Sequence, residues 1–189
     1  MAYAVVTFAF CGGKFDRKKY LFETTVQGLV KGDLVLVEGV RKDTTVTACF
    51  IHYVEVDRYN QFKRKRILNK IHPREYAEKL VAKIDKLSEL HVPNSVCNEY
   101  RNYFFKNESF DNDEVRLKIL RNLIMAAIQF EDKTKRLVKY RFGDMLLVVK
   151  GNKLVTIQNV RLKQKWIRPQ GLSESLDILL KGCVENVGV

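Results

Sequence analysis

The chain has little of what metal or acid–base chemistry needs. Its three histidines, His52, His72 and His91, lie far apart, and its four cysteines, Cys11, Cys49, Cys97 and Cys183, stand alone with no CxxC pair. A zinc site needs donors at short, paired spacings, so neither a metal nor any other cofactor is expected. Isolated cysteines read instead as reduced, buried thiols of a cytoplasmic protein. There is no Gly-rich phosphate loop and no Ser/His/Asp arrangement in a motif context. Long apolar runs are missing too. The longest near the start, residues 2–10, is too short to span a bilayer and lacks the basic segment of a secretory leader, so no membrane partner is expected. No internal repeat or low-complexity segment is visible. Acid is also in short supply: 22 acidic residues face 34 basic ones, for a net charge of +12. That excess favours a polyanionic partner, nucleic acid first and an acidic protein surface second.

What is present is a foldable α+β chain. The apolar share of 46% excludes a disordered protein, and 189 residues suffice for one ordinary domain or two small ones. Residues 3–10, 18–24, 34–38 and 44–56 read as strands separated by glycine turns, with a return strand inside residues 62–71. Five short strands without a helix predict a small antiparallel β-barrel over residues 1–72. Within it, FKRKRILNK (62–70) is the densest cationic run. Its cations cannot point into a barrel interior, so Lys63, Arg64, Lys65, Arg66 and Lys70 are expected on the surface, as a solvated cluster or as phosphate ligands.

Residues 73–90 read as a helix with Pro73 in its first turn and a narrow apolar stripe, Ala77, Leu80, Ile84 and Leu87. Such a stripe packs on either neighbouring unit or pairs with a second copy in a homodimer. The break at His91-Val92-Pro93 makes 73–92 a linking helix and 93–189 a second unit. That unit begins with a helix over 95–106, capped by Asn94 or Ser95. A second helix runs from Asp111 or Asn112 to about residue 130, with Arg116, Lys118 and Arg121 outside.

An antiparallel β-meander follows. Strands over 136–142, 145–149 and 154–160 are joined by turns at Gly143-Asp144 and Gly151-Asn152, the middle one apolar enough to be buried on both faces. Beyond it come a short strand at Trp166-Ile167, a turn at Pro169-Gln170-Gly171 and a helix over 173–180. Arg136, Lys139, Arg141, Lys153, Arg161, Lys163, Lys165 and Arg168 lie on or just after the meander. They make it a candidate nucleic-acid-binding face. Edge strands also carry lysine simply to stay soluble, so both meanings stand.

Two resemblances rest on these residues. Tyr20-x-Phe22, Gly28-Leu29-x-x-Gly32-Asp33-x-Val35-x-Val37 and the strand bearing Ala48 and Val54 resemble a small phage β-barrel domain. More remotely, they resemble the N-terminal DNA-end-binding barrel of the primosomal helicase. Residues 94–160, through VKYRFGDMLLVVKGNKLVTI (138–157), resemble the ribonuclease and toxin scaffolds typified by barnase, colicin and RelE-type folds. In members that cleave RNA, cationic and hydroxyl side chains of the first helix and the sheet take up the 2′-hydroxyl proton and neutralise the phosphorane. The matching positions here are His91, Arg101, Lys139, Arg141 and Thr156. Three functions follow: a non-catalytic binder of nucleic acid or of a nucleoprotein complex, a metal-independent ribonuclease or toxin, and a phage counter-defence inhibitor, such as an anti-CRISPR, that binds protein. A phage-encoded chain would act in the host cytoplasm.

Overall fold

The structure, a computed structural model, describes residues 2–8, 19–55, 65–82, 89–105, 109–160, 167 and 169–185. The N-terminal strands are β1 (Ala2–Thr7), β2 (Tyr20–Thr24), β3 (Leu34–Glu38), β4 (Thr45–Val54) and β5 (Arg66–Ile71). They close into a barrel in the order β1-β2-β5-β3-β4. Period-2 alternation turns Ala4, Val6, Phe22, Val35, Val37, Ala48, Phe50 and Ile67 into one apolar interior. The barrel is not wholly antiparallel: β2 and β5 run parallel, with Glu23 opposite Arg66 and Thr24 opposite Ile67. The reason is parity. A closed ring with an odd number of strands cannot alternate direction all the way round, so one neighbouring pair must be parallel.

The helix α1 (Pro73–Ala82) follows β5 after a single residue. Ala77 is fully buried with Ile124, Met125, Leu172, Leu176 and Leu180. The described part of the apolar stripe, Ala77 and Leu80, therefore packs on α3 (Asn112–Met125) and α4 (Leu172–Glu185), while Ile84 and Leu87 lie outside the described residues. The remainder of the helix expected to residue 90 lies partly outside the described residues. α4 starts at Leu172 and runs past residue 180. The segment before it returns to the barrel, where Gln170 donates its backbone N–H to Gly32 O at 3.0 Å. Ile167, expected in a strand with Trp166, instead packs beside Leu34, Cys49 and Ile71 on the barrel's outer wall; Trp166 is outside the described residues. The linking helix and the chain's end thus share one apolar layer with the second unit.

In that unit α2 (Asn94–Phe104) is capped by Pro93, with no side-chain hydrogen bond, where Asn94 or Ser95 was expected. α3 opens on a full capping box: Asp111 accepts from the backbone of Asp113 and Glu114, and the Glu114 carboxylate accepts from the Asp111 N–H at 3.3 Å. α3 stops at Met125. Ala126 takes an extended ψ of 154°, and residues expected to continue the helix become a strand, β6 (Ala127–Asp132). Two alanines at the boundary favour helix locally, but pairing with the next strand satisfies more backbone groups than one further turn would. Arg121, expected outside, is only 15% exposed and pairs with Asp177 of α4 at 2.7 Å. Burial pushes the Cys49 thiol up to about 12, so that cysteine is an inert core residue. Among the described residues no helix is long and apolar enough to cross a membrane, and no three His, Cys, Asp or Glu side chains gather as metal ligands would.

Candidate nucleic-acid interface

The second sheet runs in the order β6-β7-β8-β9, with β7 (Leu137–Phe142), β8 (Met145–Lys150) and β9 (Lys153–Asn159). Its hairpins are set by local chemistry. Gly143 and Gly151 sit at φ of 59° and 61°, the left-handed region a two-residue hairpin turn demands. At the β6–β7 turn Asp132 Oδ1 accepts from the Thr134 hydroxyl at 2.6 Å and from the backbone N–H groups of Thr134 and Lys135. The Thr134 hydroxyl first, then the Lys135 N–H, holds the Asp132 carboxyl below the usual range.

The register gives the sheet two unlike faces. Met145, Leu147, Val149, Leu154 and Ile157 pack against Val96, Cys97 and Tyr100 of α2 and Val115, Ile119 and Leu123 of α3. The other face is turned away from these helices and is built of cross-strand rows. The first is Asp132, Leu137, Lys150, Lys153. The second is Phe130, Lys139, Val148, Thr156. The third contains Arg141, Leu146 and Gln158.

The first row closes a cationic end. Lys150 and Lys153 are directly opposite each other across the Gly151-Asn152 turn, both exposed. Like charges so placed repel and weaken the pair. Arg136 lies next to them, its carbonyl accepting from Gly151 N at 2.8 Å. Its φ is 49°, a conformation that costs a bulky L-residue roughly 1 kcal/mol. His91 joins the same end by its main chain: its N–H donates to Asn152 O and its carbonyl accepts from Leu154 N, forming a parallel bridge with Lys153. Lys133 and Lys135 occupy the neighbouring turn, where Lys135 reaches Asp132 at 3.8 Å. Arg136, Lys150 and Lys153 form no ion pair among the described residues.

The expected site residues separate on this frame. His91, Arg136 and Lys153 come together at the cationic end. Lys139 and Thr156 share the second row, about 10 Å apart across β8. The Lys139 ammonium lies 5.6 Å from the Phe130 ring centroid. Arg141 is 6% exposed and fastens its own hairpin, with Nε on Gly143 O and Nη2 on Val160 O. Thr156 donates its hydroxyl to Glu99 of α2 at 3.0 Å, and the same carboxylate accepts from Ile157 N on the edge of β9. Arg101 is not brought to Lys139 and Arg141. α2 packs on the opposite face, and Arg101 ties the α2–α3 loop through Phe110 O, Asn98 and Asn112.

On the barrel, Lys65 donates to Gly39 O, Arg66 to both Glu38 carboxylate oxygens, and Lys70 pairs with Asp33 at 2.8 Å. Lys63, Arg64, Arg161, Lys163, Lys165 and Arg168 lie outside the described residues. Sequence reasoning missed Lys150, although Lys-Gly-Asn-Lys alone places the two lysines opposite one another. It also missed Phe130, which the helix reading concealed, and Glu99, for which pairing across 57 positions left no local signal.

The family model YorE matches residues 90–176, which take in α2, α3 and the whole sheet. No curated protein and no solved structure matches the chain.

Proposed function

We propose that the chain is a phage-type basic protein of the host cytoplasm that binds nucleic acid, bare or within a nucleoprotein complex, without cutting it. One observation carries the reading: two locally unfavourable choices meet at one end of the sheet. Lys150 opposes Lys153, and Arg136 occupies a positive φ beside them. Each lowers stability in the isolated protein, and an anion docking between the cations relieves the repulsion of the lysine pair. The net charge of +12 supports a polyanion as that anion. The YorE match over this region supports the phage origin.

Salt dependence tests the reading. With roughly five phosphates contacted, log K should fall against log salt with a slope of about −3.5 to −4.5. The double change Lys150→Glu with Lys153→Glu should weaken binding by about 10- to 100-fold at low salt and flatten the slope by about 2. A flat salt response, or no binding at low salt, would remove the reading and leave a protein partner, such as a host defence complex, in its place.

A further inference from the structure

The cationic end explains attraction to any polyanion, but the row beside it is not simply cationic. Phe130 is 48% exposed on β6, an edge strand of the sheet, and it lies on the same side as Leu137 and Lys139, with Val148 further in, buried at 8%. Half of that ring's surface is in water and open to a ligand. The Lys139 ammonium stands over one face of that ring, 5.6 Å from its centroid, which leaves the opposite face for a base, and the lysine pair of the first row is about 7 Å further along the strands. Ring, adjacent ammonium and flanking cations together match the chemistry of one nucleotide after another: a π-face for the base and positive charge for the phosphates on either side. A duplex cannot use the ring, because its bases are already stacked and paired and it offers only phosphates and groove edges.

Resting on the nucleic-acid reading above, we infer that the ligand is single-stranded and that Phe130 is its base-stacking platform. The strand runs along the β6–β7 edge of this face, one base on the Phe130 ring, its phosphates beside Lys139, Lys150 and Lys153.

The inference is tested with the full chain by fluorescence anisotropy on four labelled probes of about twelve nucleotides, within the usual single-strand site size. They are an oligouridylate, its DNA counterpart, an abasic strand of equal charge, and a duplex. Wild-type protein should prefer the two base-bearing single strands to both the abasic strand and the duplex. Phe130→Ala should lose about tenfold on the base-bearing strands and change little on the other two. Phe130→Trp, which keeps the edge strand filled and enlarges the ring, should bind the base-bearing strands at least as tightly as wild type. It thereby shows that the alanine effect is not a folding defect. Equal binding of duplex and single strand by wild type, or full single-strand affinity in Phe130→Ala, would overturn the stacking platform while leaving phosphate binding intact. A comparable weakening of about 10- to 100-fold on all four probes in Lys150→Glu with Lys153→Glu identifies the phosphate contacts separately. Failure of the wild type to bind any probe sinks both readings at once.

Discussion

The barrel and the meander both carry cation-rich stretches, yet they use them differently. In the barrel's 62–70 run, the denser one in sequence, each described cation is engaged by the protein itself: Lys65 by a carbonyl, Arg66 by Glu38, Lys70 by Asp33. On the sheet, Arg136, Lys150 and Lys153 stand together without a carboxylate partner among the described residues, and the strain and repulsion they carry remain uncompensated. Charge density along a chain therefore does not rank binding surfaces. What ranks them is whether folding delivers an acceptor to each cation.

Three changes can break or sharpen this contrast. The largest effect on stability should come from Lys70→Ala. Asp33 is buried at 6% side-chain exposure, so removing its partner leaves a carboxylate held, among the described residues, by the Val30 N–H alone. The ammonium itself is half exposed and water can partly replace it, so the loss should be about 1–2 kcal/mol rather than that of a fully buried pair. Chemical denaturation measures it. Nucleic-acid affinity should hold within about twofold, and a drop as large as that of the Lys150 and Lys153 double change would abolish the distinction between the two regions.

Arg136→Gly should work in the opposite sense on the sheet. Glycine removes the positive-φ penalty, so the melting temperature should rise, corresponding to about 0.5–1 kcal/mol, while affinity falls a few-fold with the lost charge. A variant that gains stability and keeps full affinity would remove Arg136 from the interface.

The smallest effect should appear on acidification. The Arg66 side chain, then its backbone N–H, holds the Glu38 carboxyl below its ordinary value. A lowered folded-state value means that the stability contributed is complete above the unfolded value and is lost as pH falls through the folded one. In an NMR titration Glu38 should therefore titrate below an ordinary glutamate in wild type and move up towards the usual range in Arg66→Ala, which keeps the backbone N–H contact. A Glu38 that titrates normally in both proteins would show that Arg66 is not held.

Much of the sheet could be read directly from its turns. Phe-Gly-Asp-Met and Lys-Gly-Asn-Lys place glycines where positive φ is required, the apolar run between them can only be a buried strand, and the Asp-x-x-Glu start of α3 declares its own cap. The strand β6 was hidden because Ala126, Ala127 and Ile128 continue the apolar spacing of α3. Only the presence of β7 alongside makes an extended chain better there. The site was legible in part. The cations of the meander were identifiable as a group, but Arg141 within that group is a hairpin clamp and Arg101 a loop clamp.

Apart from β6, the sequence by itself determined most element types, the turns of the β7–β8 and β8–β9 hairpins and the basic character, because these depend on period, turn chemistry and composition within a few residues. The tertiary structure decided the closure of the barrel through a parallel pair and the packing of α1 against α4. It also decided which cations are neutralised. Glu38 meets Arg66 from 28 positions away and Glu99 meets Thr156 from 57. A charge is cancelled by what lies within a few ångströms of it, and distance along the chain carries no record of that.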